Sequence, residues 1–261
     1  VEYEITFRES KINVKVSLDK NSSRLDYEIE CDWQERAAIG KFIPQLNFFM
    51  PFGYECEKYK YDIPFGTIER KDMNRDVPAN SWMLGVPKEE GNKAVMLVTQ
   101  SKYGFRGTGN AAAITLIRSS YDPDPYPENG LHNIKFAVNI VDCDSNNKLV
   151  KQAFDYNHPV RFLSGTVHKG SLPLEKGFIG MESESVVISA LKKPEQGADE
   201  NRLIVRVYET EGNKAKATLK FARKVKTAYY VDINEKAIDT GLNISVGEDE
   251  VEFEIDSYSV A

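Results

Sequence analysis

Several residue types that announce a function are scarce in this 261-residue sequence, which has three cysteines, three histidines and two tryptophans. Cys31, Cys56 and Cys143 lie far apart, form no C-x-x-C pair and are odd in number. That excludes a disulfide framework and a cysteine metal site, and it fits a reduced, cytoplasmic protein. The histidines His132, His158 and His168 are isolated, with no His or Asp two or four residues away to share a face. No metal site is therefore expected within the chain. No apolar run approaches the ~20 residues of a membrane span, so no membrane contact is expected. Positive charge is short as well: 34 Lys and Arg stand against 40 Asp and Glu, for a net charge of −6 and a pI near 5.3. Such a surface does not track phosphates, which excludes nucleic acid as a partner. Phosphate loops and nucleophile elbows are missing too. The turn from Gly104 to Gly109 lacks a G-K-[ST] ending, and no Gly-x-Ser-x-Gly occurs. No signal sequence precedes Val1, and the chain opens directly in a strand-like pattern, as an excised piece of a larger protein would. Without such a signal, the sequons at Asn21 and Asn243 carry little weight.

What is present is period-two alternation. Tyr3, Ile5 and Phe7 face one way and Glu4, Thr6 and Arg8 the other. The pattern returns at Ile12, Val14, Val16 and Leu18, and again at Leu25, Tyr27, Ile29 and Cys31. Short polar turns separate these runs, which predicts an antiparallel meander. Aromatic residues crowd the stretch from Lys41 to Tyr61, followed by the extended segment YDIPFGTIER. Ala94–Thr99 is a short continuous apolar run, fit for a strand buried on both faces. Ile134, Phe136, Val138 and Ile140 alternate once more. No helix longer than a turn or two is expected; Lys148–Tyr156 is the best candidate, and a strand pattern fits it about as well. Strands without intervening helices imply an all-β sandwich architecture.

A seam falls at Gly165–Lys176, where glycine and proline replace apolar residues. Domains are accordingly expected over 1–170 and 178–261. Beyond the seam, strands are expected at 186–190, 203–208, 217–221, 229–233 and 251–255. Turns are expected at 194–201, Glu211-Gly212-Asn213 and Gly247-Glu248-Asp249.

The stretch from Ser101 to His132 organises the chain: a turn with Gly104, Gly107 and Gly109, an apolar run from Ala111 to Ile117, then Arg118 and the acidic loop DPDPYPENG that closes on His132. Pro123, Pro125 and Pro127 remove backbone donors and keep the loop out of helical geometry. An arginine where a buried strand meets a rigid loop can hold a carboxylate or an anion. It can equally brace its own loop against Asp122 or Asp124.

The succession SKYG, GN, L-x-R, P-D-P and E-x-G-x-H in this stretch resembles the C-terminal region of the glycoside hydrolase family 38 α-mannosidases. Asp32-Trp33-Gln34-Glu35, YDIPFGTIER, Pro78-Ala79 with Trp82, and SVVISALKKPEQG followed by LIVRVYET fit the same region in order. The resemblance implies a large galactose-mutarotase-like supersandwich, truncated at its start, followed by a smaller Ig-like β-sandwich. It implies that the nucleophile and the zinc ligands lie in an N-terminal catalytic domain, and no His-x-His or His-x-Asp motif of that domain occurs here. No catalytic residue, metal or cofactor is then expected in this chain, with zinc belonging to the absent domain. The implied partners are that catalytic domain and mannose-containing glycans, and a homo-oligomer of the full-length enzyme is allowed. Arg118 is the foremost candidate for the substrate cleft, followed by Tyr61, Asp62 and His132. The bland alternatives are Tyr61 as core, Asp62 as a turn cap and His132 as a satisfied loop histidine. Two rival functions remain: a free-standing carbohydrate-binding module, suggested by the aromatic 42–61 region and Trp82, and a mutarotase-like enzyme using His132 or His158 with a carboxylate.

Overall fold

Alternating residues build the first three strands, β1 (Glu2–Phe7), β2 (Ser10–Leu18) and β3 (Arg24–Trp33), which pair antiparallel in sequence order. The computed structural model describes residues 1–89, 91–195 and 201–261. The chain divides into two units, Val1–Pro159 and Val160–Ala261.

In the first unit, β4 (Gln45–Pro51), β5 (Cys56–Ile63), β6 (Gly66–Arg70), β7 (Val77–Pro78), β8 (Trp82–Pro87), β9 (Lys93–Thr99), β10 (Gly104–Thr108), β11 (Ala111–Arg118) and β12 (Gly130–Asp142) follow. An eight-stranded sheet runs β1-β2-β3-β12-β9-β8-β5-β6, and a four-stranded sheet runs β4-β11-β10-β7. One apolar core lies between them, drawing Ile12, Ile29, Tyr61, Leu97 and Phe136 from the first sheet and Phe105, Ala112 and Ile114 from the second. Of the aromatic crowding of 42–61, Tyr59 and Tyr61 are buried in this core and Phe48 and Phe52 pack against it, while Phe42 and Phe49 are exposed. Phe48 meets Tyr27 and Phe136 at ring-centroid distances of 5.1 and 4.6 Å, and Phe52 stacks on Tyr54. Each fully buried side chain of this size contributes roughly 1.5–3 kcal/mol.

The turn expected from Gly104 to Gly109 needs correction. Gly104–Thr108 is strand β10, with Gly107 packed against Tyr59, and the turn is only the two-residue loop Gly109-Asn110 joining β10 to β11. Gly109 and Asn110 both have positive φ, as a two-residue hairpin loop of this hand requires. The Asp72 carboxylate accepts from Thr108 Oγ1 and Gly109 N, each at 2.7 Å, and holds the turn.

Two further expectations need correction. Lys148–Tyr156 lies within a three-turn helix, α1 (Asn146–Asn157), where no helix longer than a turn or two was expected. Ser145 caps its first turn, accepting from Lys148 N, and Leu149, Val150 and Ala153 form its buried stripe. The helix packs on β9 and β12, which explains why Ala94, Met96 and Val98 are buried on the face opposite the core.

The second unit holds β13 (Ile179–Glu182), β14 (Val186–Lys192), β15 (Ile204–Glu209), β16 (Ala215–Phe221), β17 (Ile244–Val246) and β18 (Glu250–Ile255). A four-stranded sheet, β13-β16-β18-β17, and the β14-β15 pair enclose a core of Val186, Val207, Leu219, Val251 and Phe253. Here the strand expected at 229–233 is absent, with a single bridge at Val231 and Ala237 in its place. The Asp232 side chain accepts from Asn234 N and Lys236 N, folding a turn that stops the pattern. The turns at 211–213 and 247–249 are formed, whereas most of the turn expected at 194–201 lies outside the described residues.

Candidate functional site

Arg118 ends β11, and a β-bulge decides which way it points. Inward positions run Ala112, Ile114 and Leu116, so an undisturbed strand would turn residue 118 to the core. The pairing with β4 shifts between Thr115 and Ile117, leaving Leu116 as an extra residue. Ile117 thereby joins the core and Arg118, paired with Gln45, is exposed.

The next residue is locked. Ser119 Oγ accepts from Trp33 Nε1 at 2.7 Å and donates to the Glu35 carbonyl at 2.9 Å. The Glu35 carboxylate is itself buried, accepting from Ser10 Oγ at 3.1 Å and Arg8 at 3.3 Å. The tryptophan of the D-W-Q-E motif is thus a buried structural donor, and the motif fixes the strand end beneath Arg118.

The proline-rich loop is pinned at several points. The Arg36 guanidinium lies 4.6 Å from the Tyr126 ring centre, and Asp124 accepts from Tyr126 N at 2.8 Å. His132 Nε2 sits 2.7 Å from the Glu128 carbonyl, to which it donates as the Nε2–H tautomer. Neither Asp122 nor Asp124 forms an ion pair with Arg118, and the guanidinium makes no hydrogen bond among the described residues. On the same outer surface, Gln45 donates to Asp76 at 2.7 Å and Arg106 grips Asp76 at 2.8–2.9 Å. Burial pushes the Asp76 carboxyl up, but these hydrogen bonds outweigh it and hold the group below the usual range.

Tyr61 is core: its side chain is fully buried, with Arg70 4.6 Å from the ring centre. Burial pushes its phenol up to about 12 against the opposing pull of Arg70 and the Gly107 amide. The hydroxyl makes no hydrogen bond of normal geometry. Asp62 is a clamp, its Oδ2 accepting from Ser81 Oγ at 2.6 Å and Ser81 N at 3.1 Å. Register carries Tyr61 through Met83 and Leu97 to Val138 on β12, six residues from His132. Three strand spacings and that run along β12 separate Tyr61 from His132 by more than about 20 Å. The four candidates therefore do not form one site, and Arg118 is the one offering a free, exposed charge.

Asp62 nevertheless gives a measurable signature, because burial raises its carboxyl from 3.8 to about 6. Between those values the folded state binds more protons than the unfolded one. Stability should therefore be fully present below about pH 4 and lost as pH rises through 6. The shift corresponds to about 3 kcal/mol. Asp62→Asn keeps an acceptor for Ser81 and should remove this slope, raising stability at pH 7 by about 2–3 kcal/mol. Denaturant titrations of both proteins across this window test it, and equal slopes would refute the assignment.

The rival functions find little footing here. Tyr59, Tyr61 and Trp82 are buried and unavailable as a sugar-stacking platform, which leaves Phe42 and Phe49 as the exposed rings of the 42–61 region. His158 Nδ1, like His132 Nε2, rests on a backbone carbonyl, and neither histidine meets a carboxylate among the described residues. No group of three or more His, Cys, Asp or Glu side chains could hold a metal among the described residues. No helix of the described residues is long and apolar enough to cross a membrane.

Comparison with known proteins agrees with this architecture. The glycosyl hydrolases family 38 C-terminal domain matches residues 1–126, and the family 38 C-terminal beta sandwich domain matches residues 185–260. The chain belongs to glycoside hydrolase family 38, as its C-terminal β-domains. More particularly, its curated relatives are α-mannosidases. Alpha-mannosidase of Saccharomyces cerevisiae is 27% identical over 251 residues, covering 85% of this chain and 21% of that protein. Alpha-mannosidase G of Dictyostelium discoideum is 25% identical over 218 residues, covering 77% and 18%. Human alpha-mannosidase 2C1 is 23% identical over 245 residues, covering 89% and 22%. The chain thus spans about a fifth of the length of these relatives.

Proposed function

We propose that the chain is the non-catalytic β-domain region of a longer, cytoplasmic, zinc-dependent retaining α-mannosidase, supporting the catalytic domain and lining part of its glycan cleft. The observation that carries this reading is Arg118, exposed and without a partner among the described residues, beside a locked residue and a pinned loop. Its backbone is held while its five donors are free for a sugar hydroxyl or a carboxylate of the catalytic domain. Among the described residues the donor sets do not fit zinc, because the histidines are isolated and engaged with backbone carbonyls. The metal and the paired carboxylates of a retaining hydrolase belong to the remainder of the enzyme on this reading. The three cysteines form no disulfide, which is compatible with a reducing compartment.

Two measurements test this reading. The 261-residue chain alone should not turn over aryl α-mannosides, with or without zinc. In the full-length enzyme, Arg118→Lys should lower kcat/KM, because a point charge does not replace a planar fork. The melting temperature of the 261-residue chain should barely move under the same substitution. A loss in kcat would mark a contact made more strongly in the transition state, and a rise in KM a uniform one. Unchanged kinetics in folded full-length enzyme would remove Arg118 from the cleft.

A further inference from the structure

Residues 160–178, VRFLSGTVHKGSLPLEKGF, open the second unit and belong to no helix or strand. They carry seven large apolar side chains, Val160, Phe162, Leu163, Val167, Leu172, Leu174 and Phe178, exposed from 66% at Leu172 to 112% at Leu174. The backbone is equally bare. Among the described residues its single backbone–backbone hydrogen bond is at Phe178, whose carbonyl accepts from Ala222 N at 3.0 Å. This composition does not suit a spacer. Flexible linkers are built from glycine and small polar residues, which lose nothing by staying in water. Here bulky apolar groups that favour burial are spaced along an extended backbone whose polar groups also need partners. The segment is basic as well: Arg161, Lys169 and Lys176 against Glu175 give 3 − 1 = +2, within a chain of net charge −6.

We propose that 160–178 is a docking strip that lies extended along the remainder of the longer polypeptide, burying its apolar side chains there and pairing its free backbone groups. The inference rests on the reading of the chain as part of a longer mannosidase, and that length identifies the occupant. The chain matches only 18–22% of its relatives, so about four-fifths of the polypeptide is available as covering surface. Being tethered to it, the strip meets that surface at high effective concentration. Extended segments add to free sheet edges through main-chain hydrogen bonds, with alternate side chains filling pockets. The receiving surface should be acidic or neutral, to suit the net positive strip. A second copy is the competing occupant, and it is separated from the tethered surface by its dependence on protein concentration.

Hydrogen exchange on the 261-residue chain and on the full-length gene product tests the strip. In the 261-residue chain, amides 161–178 should exchange at free-peptide rates, and trypsin should cut first at Arg161 or Lys169. In the longer protein the same amides should slow by 100-fold or more, and those cuts should disappear. Replacing Phe162 and Leu163 with serine should lower the melting temperature of the longer protein and restore cutting at Lys169, while the shorter chain melts unchanged. Free-peptide exchange in both proteins, in a longer enzyme that hydrolyses mannosides, would overturn the strip and leave the proposed function standing. Protection in a longer protein without mannosidase activity would overturn the function and leave the strip. Protection in the 261-residue chain that grows with its concentration would assign the strip to a second copy and overturn the proposal. A native gene product of only 261 residues would overturn both.

Discussion

Replacing Glu209 with alanine is expected to destabilise the second unit by about 3–5 kcal/mol, the loss of several charge-assisted hydrogen bonds at a buried position. Its side chain is fully buried at the end of β15, with Oε1 accepting from Glu211 N at 2.7 Å. Its Oε2 accepts from Gly212 N at 2.7 Å and Tyr258 N at 3.0 Å. One carboxylate thus holds the 211–213 turn and ties it to the C-terminal segment. Alanine leaves three amides without an acceptor in a place where water enters poorly. Glutamine should cost less, since it keeps one acceptor oxygen and sets an NH2 against donors on the other side. Thermal scans should show the order wild type, Glu209→Gln, Glu209→Ala, with lost amide protection concentrated in β15, the turn and residues 256–261. An alanine variant melting within a degree of wild type would show that the turn holds without its clamp.

Gly107→Ala is expected to cost about 3 kcal/mol in the first unit, at the upper end of overpacking penalties. A Cβ at Gly107 would lie 2.3 Å from Cγ of Tyr59, whose ring is only 1% exposed. Backbone and ring therefore meet face to face between the two sheets, and neither yields easily. Tyr59 is fixed on β5, paired with both Arg70 and Gly85, while Gly107 lies in β10 opposite Ala112. Trimming the ring gives a second measurement. Tyr59→Leu should be destabilising alone yet should recover part of the loss when combined with Gly107→Ala. A double-mutant cycle reads that coupling directly. Additive penalties would mean that the clash relaxes elsewhere.

β2 and β3 were legible because each buries one face, so alternation survives from Ile12 to Cys31, whereas β1 alternates Tyr3, Ile5 and Phe7 with polar residues although both of its faces are exposed. The glycine-rich turn was legible only in part: Gly109 and Asn110 take the positive-φ loop, but Gly104 and Gly107 belong to β10, where glycine serves close packing rather than turning. α1 was ambiguous because its stripe is only Leu149, Val150 and Ala153, short enough to imitate a strand. The false strand at 229–233 has the converse cause: Tyr229 to Ile233 alternates well, but Asp232 turns its own backbone two residues further on. At the candidate site, the order of motifs located Arg118 but could not tell which face would carry it, because AAAITLI is apolar throughout. Glu35 and Glu209 went unnoticed as single acids among forty acidic residues, although both lie inside motifs that carry the family resemblance. The sequence shows no difference between a buried clamp and a solvated carboxylate; only the donors brought around each make it.

The bulge at Leu116 makes the presentation of Arg118 a matter of parity. Even-numbered positions of β11 face the core up to the bulge, and odd-numbered Ile117 does so after it. Straightening the bulge at unchanged length would return Arg118 to the inward series. Deleting Leu116 would instead restore plain alternation, with Ile117 inward and Arg118 still outward opposite Gln45. Length changes in the 119–129 loop lie beyond this count and leave the face of Arg118 untouched. Relatives whose β11 is one residue shorter should therefore present the same arginine outward from a straight strand, while the loop beyond it drifts in length.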